Sequence, residues 1–103
     1  MAYIGCRTMI LFVVTRPDGG RILTNLLRAC SRVNQEASCF FTNDGISVLD
    51  DPVVLNTVQD AKEAFVCLES WHNFKGDIES PVEEGSQTQH SRLIAEASTI
   101  VSL

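Results

Sequence analysis

The stretch Phe65-Val66-Cys67-Leu68-Glu69-Ser70 puts a thiol at the end of an apolar run, just where the chain turns polar. A cysteine in that position is either a small core residue or a nucleophile. The second role needs a thiolate. A thiol beside a helix N-terminus meets the positive end of the dipole and free N–H groups, both of which favour the anion. Ser70 is close enough in the chain to add a hydrogen bond, while Glu69 would oppose ionisation if its carboxylate came near. Sulfur exchange between thiols requires such a thiolate, access for the partner sulfur, and no metal.

The other cysteines are Cys6, Cys30 and Cys39. No two of the four form a CxxC pair, and neither histidine stands at zinc-finger spacing from any pair, so a structural zinc site is not expected. Cys30 falls on the apolar stripe of a helix and Cys39 inside a strand, both core positions. Cys6 precedes the first strand, with only Arg7 beside it as an activating charge. His72 follows Cys67 by five residues and would meet it only if a helix began at once; a Cys/His hydrolase would also need an oxyanion hole. Asp44, Asp50 and Asp51 cluster as a magnesium site requires, but loop capping accounts for them more simply. The turn Arg16-Pro17-Asp18-Gly19-Gly20 follows the first strand as a phosphate loop would, yet it lacks both glycine signatures, and Asp18 repels an anion. No metal and no cofactor are expected.

These groups need a scaffold to position them. Residues 8–15 form a continuous run rich in Val, Ile and Phe, the pattern of a strand buried on both faces. In residues 20–35, Ile22, Leu23, Leu26, Leu27, Cys30 and Val33 recur at helical spacing, with Arg21, Asn25, Arg28 and Arg32 on the other side. Residues 37–43 read as a second strand ending in the turn signal Asn43-Asp44-Gly45, after which residues 46–52 read as loop. Asp51 and Pro52 then start a short helix as cap and first position. Residues 63–69 are a third strand, Ser70 a cap for a helix from Trp71, and Gly76 its end. Residues 78–86 read as loop or a short edge strand, because Pro81 forbids a central place. A helix carrying Leu93, Ile94 and Ala97 on one face and a strand from Thr99 close the chain.

Strands alternating with helices through short joints imply an α/β fold: a three-layer sandwich with a mainly parallel sheet, flavodoxin- or Rossmann-like. At 103 residues the chain is one domain, 1–103. Sites in such sheets gather at the carboxyl ends of the strands. That edge brings Arg16, Asp44, Cys67 and Ser70 together, and leaves Cys67 bordering solvent. The net charge of −5 and the scattered placing of the eight basic residues argue against direct nucleic-acid binding. No run reaches the roughly 20 apolar residues of a membrane span, and the first residues lack the features of a secretory leader, so a cytoplasmic setting with reduced thiols is expected.

The order of these segments resembles the DsrE/DsrF-like family, which includes the Tus and Dsr sulfur-relay subunits. The likeness is carried by TMILFVVTRPDGG as opening strand and loop, and by RILTNLLRACSRVNQ with SCFFTNDGISVL as the next unit. FVCLESWHNFKG matches the strand delivering a cysteine into a helix, and SRLIAEASTIVSL the last helix and strand. The resemblance implies that Cys67 takes a persulfide sulfur and relays it between donor and acceptor proteins. It also implies a homo- or hetero-oligomer, often a trimer or hexamer. Some members lack the cysteine and serve as structural subunits, which leaves that role open beside the carrier. A flavodoxin-like nucleotide or flavin module stays open as well.

Overall fold

A computed structural model describes residues 8–103; Cys6 and Arg7 lie outside the described residues. Five strands alternate with helices: β1 (Met9–Val14), α1 (Gly20–Arg32), β2 (Glu36–Phe41), a 3-10 helical segment (Asn43–Asp50) and α2 (Pro52–Val58). Then follow β3 (Glu63–Cys67), α3 (Leu68–Lys75), β4 (Glu83–Gly85), α4 (Gln87–Glu96) and β5 (Thr99–Ser102). The strands form one sheet in the order β4-β3-β2-β1-β5, and every neighbouring pair is parallel. The protein is an α/β three-layer sandwich of the flavodoxin/Rossmann-like class.

Alternation along the strands sorts the core onto two faces. Phe12, Val14, Cys39, Phe41 and Val66 point to the side covered by Leu23 and Leu27 of α1 and Val54 and Val58 of α2. Met9, Leu11, Phe40, Phe65 and Cys67 point to the other side, where Leu93 of α4 packs. The central strands are therefore apolar on both faces, as the continuous runs in their sequences require. Each fully buried Phe or Leu in these layers contributes about 1.5–3 kcal/mol.

Several local expectations need correction. Residues 46–50 are not loop but part of the 3-10 segment, held by Val14 at its start and by Val48 at its end, where the Asp51 N–H donates to the Val48 carbonyl. Its Ile46, Val48 and Leu49 are buried, so apolar content at three-residue spacing was the missed signal. In α1 the inward side is Gly20, Leu23, Thr24 and Leu27; Ile22 is 54% exposed, because the sheet is met by a narrower stripe than the apolar spacing suggests, and Val33 is 73% exposed, because the helix ends at Arg32 before it. Likewise Leu93 alone of its stripe is fully buried in α4, and Ile94 is exposed. Residues 83–85 do form a strand, and it is an edge, in keeping with Pro81.

Gly45 fixes how the 3-10 segment meets the sheet. A Cβ at this position would collide with the Val14 carbonyl, so only glycine permits the approach. Asp51 and Pro52 start α2 as the sequence indicates, with the Val53 N–H donating to the Asp51 carboxylate at 2.9 Å. Gly76 ends α3 with φ 62°, a left-handed conformation that suits glycine.

Candidate functional site

At the carboxyl edge of the sheet, β3 passes into α3 with no intervening turn. The helix begins at Leu68 rather than at Trp71, and this corrects the place of Ser70, which lies in its first turn instead of capping it. Cys67 itself occupies the cap position with an extended backbone (φ −60°, ψ 122°). Its side chain makes no capping hydrogen bond. The N–H groups of the first turn therefore stay available to a sulfur anion.

The surroundings of Cys67 decide its ionisation. Burial raises the thiol pKa, but the Ser70 N–H, the Ser70 and Thr42 hydroxyls and the Glu69 N–H all stabilise the thiolate. Together they outweigh burial and hold Cys67 below the ordinary cysteine value. Glu69 thus acts through its backbone N–H, and its carboxylate does not oppose ionisation as the sequence suggested it could.

Thr42 is a member of the site that the sequence reading left out. Parallel pairing runs from Ser38 against Glu63 to Phe41 against Val66, and one further step puts Thr42 level with Cys67. A hydroxyl residue just past the end of the neighbouring strand was the available signal. The Thr42 and Ser70 hydroxyls are 3.3 Å apart, and the Asn43 N–H donates to Ser70 Oγ at 2.9 Å. A serine oxygen has two acceptor positions and one proton. Asn43 fills one acceptor position and takes no proton from the hydroxyl, so the Ser70 proton is free to point at sulfur. Asn43 holds φ 53°, a left-handed conformation that asparagine tolerates better than most residues.

Access is narrower than expected. Cys67 is only 8% exposed, a correction to its placing at the solvent border: Phe40, Phe65 and Leu93 share its side of the sheet. Leu68, immediately after it, is 40% exposed.

Arg16 and Asp44 reach the same edge of the sheet without joining the cluster. Arg16 bonds Asp18 in its own turn, with both side chains exposed, and the Asp44 carbonyl accepts from the Ser47 hydroxyl. Neither hydrogen-bonds Cys67, Ser70 or Thr42. His72 points away from Cys67, its Nδ1 3.0 Å from the Gly76 carbonyl oxygen and its Nε2 3.9 Å from Glu84. Trp71 is a core anchor, 3% exposed, and donates from Nε1 to the Ile78 carbonyl at 2.6 Å. Among the aspartates, Asp50 pairs with Lys75 at 2.9 Å and Asp51 caps α2. Among the described residues no group of three or more His, Cys, Asp or Glu side chains could hold a metal ion.

The remaining described cysteines are set differently. Cys39 is fully buried, and burial, with the nearby Cys30 adding, pushes its thiol up to about 12. Cys30 is half-buried, and burial raises it too. It lines a cavity of about 670 Å³ with Asn34, Gln35 and Lys62, at the sheet edge opposite Cys67. Volume and thiolate-favouring chemistry are thus at opposite ends of the molecule, and the chemistry marks the better candidate site. No described helix is long and apolar enough to cross a membrane. The sequence matches no protein-family model and no curated protein.

Proposed function

We propose that the protein is a sulfur carrier whose Cys67 accepts a sulfur atom from a donor persulfide and relays it to an acceptor thiol. The observation that carries this reading is the donor cluster around Cys67, in which Ser70, Thr42 and the first N–H groups of α3 favour a thiolate despite burial. The Cys67 thiolate attacks the outer sulfur of the donor R–S–SH. That S–S bond breaks, R–S⁻ leaves, and Cys67–S–SH forms with no net oxidation. An acceptor thiolate then attacks the outer sulfur and releases the Cys67 thiolate, which the same donors stabilise as a leaving group. No metal or cofactor enters either step. The partners are a donor and an acceptor protein, and the family resemblance supports work within an oligomer.

The 8% exposure of Cys67 favours one second reading, a structural subunit with an inert thiol. Incubating the protein with glutathione persulfide and recording intact and peptide masses separates the two. A carrier gains one sulfur atom on the peptide containing residues 65–71, and Cys67→Ser loses that gain while remaining folded. Equal labelling of Cys67→Ser and wild type, or a native Cys67 that resists small thiol reagents, overturns the carrier reading.

A further inference from the structure

Among the described basic residues, Arg16, Lys62, Lys75 and Arg92 each have a carboxylate partner: Asp18, Glu36, Asp50 and, for Arg92, Glu63 and Glu96. Arg21, Arg28 and Arg32 have none among the described residues. All three are exposed and all belong to α1. With Asn25 they follow the i, i+4, i+7, i+11 spacing of a single helix face. Residues scattered in the sequence thus line up over about 16 Å of helix.

This face borders a groove between α1 and α2. One cavity of about 500 Å³ is lined by Arg21, Asn25 and Arg28 together with Val53, and a second of about 670 Å³ by Arg28 and Arg32 together with Asn56. Arg28 lines both, so the two adjoin. Val53 is 54% exposed and gives the groove an apolar spot between its arginines.

We propose that a second copy of this chain docks in the groove through its residues 77–84. That segment carries the complementary surface. Asp77, Glu79 and Glu83 are exposed and without an ion pair among the described residues, and Ile78, between the first two, is 65% exposed. Pro81 keeps the segment out of a helix. An isoleucine flanked by carboxylates therefore meets a valine flanked by arginines, and guanidinium groups bind carboxylates in a paired fork. The two surfaces form no ion pair with each other inside one chain. Asp51, Asp60 and Glu36 also line the groove, so a continuous phosphate chain would meet repulsion there. Because two different surfaces meet, the contact is head-to-tail and closes into a ring or extends as a chain.

Single exposed ion pairs contribute little, so the contact depends on several acting together and weakens with salt. Sedimentation velocity of the wild-type protein at low and high salt reads this directly, with self-association expected at low salt. The double variants Arg28→Glu/Arg32→Glu and Glu79→Lys/Glu83→Lys should each associate roughly tenfold more weakly or worse. An equal mixture of the two should recover association, since each supplies the charge the other now needs. Circular dichroism confirms the fold of each variant, and Arg28→Ala/Arg32→Ala substitutes for a reversal that fails to fold. A monomeric wild type at low salt, unchanged association in both double variants, or a mixture that stays monomeric overturns the proposal.

Discussion

Ser70 Oγ lies 2.9 Å from the Asn43 amide nitrogen, which joins the first turn of α3 to the end of β2 across 27 residues of chain. The contact has two consequences. It satisfies an N–H at a left-handed residue, and it leaves the Ser70 proton free for the Cys67 sulfur.

Ser70→Ala should therefore move two observables. Removing the hydroxyl takes a donor from the thiolate and raises the Cys67 pKa, so alkylation by iodoacetamide at pH 7 should slow by roughly tenfold. The Asn43 N–H also loses its acceptor, but Asn43 is exposed and water can take the place of Ser70, so the cost in denaturant unfolding should be about 1 kcal/mol or less. Thr42→Val should slow alkylation in the same direction while leaving the Asn43 N–H bonded. Unchanged alkylation rates across pH in both variants would show that burial alone governs the thiol.

Gly45→Ala tests how the 3-10 segment docks on β1. The new Cβ meets the backbone carbonyl of Val14, which cannot move without disturbing the sheet. A loss of about 3 kcal/mol is expected by chemical denaturation. Gly76→Ala, where a Cβ meets nothing within 4 Å, should cost less, through its positive φ alone.

Cys39 gives a pH dependence of stability with a definite sign. Its folded pKa of about 12 stands above the ordinary cysteine value of 9.0, so between these the unfolded chain binds fewer protons than the folded one. The stability it confers is complete below pH 9 and falls by about 1.4 kcal/mol per pH unit as the pH rises towards 12. Cys39→Ala should flatten that alkaline slope, measured as unfolding free energy against pH. It should also lower stability at neutral pH through the cavity it leaves.

Ser38 is 1% exposed, and its hydroxyl has no hydrogen-bond partner among the described residues. It sits two residues before Phe40 on β2, on the side of the sheet that faces α4. Ser38→Ala removes an unsatisfied buried group at almost constant volume and should stabilise the fold by about 1 kcal/mol, read as a rise in thermal midpoint. Destabilisation of that size would mean the hydroxyl is satisfied in solution.

Much of the architecture was written in local pattern. Continuous apolar runs identify β1, β2 and β3 as buried strands, and helical spacing identifies α1, because those periodicities follow from backbone geometry. The same patterns place Cys67 at a strand-to-helix junction, where a thiol has a claim on chemistry. Tertiary structure alone decided the rest. Thr42 and Asn43 reach Ser70 only because β2 and β3 pair in parallel and in one register, which brings residues 27 and 28 positions apart into hydrogen-bond range. Ile22 and Ile94 are apolar at helical positions yet exposed, since the width of the buried stripe depends on what each helix packs against. Whether an arginine is paired or free is likewise a property of the assembled surface: Arg92 reaches Glu63 across 29 residues, whereas Arg28, on a different helix, meets no carboxylate among the described residues. Local sequence sets periodicity and turn chemistry, but contacts between distant segments depend on register and packing, which exist only once the sheet has formed.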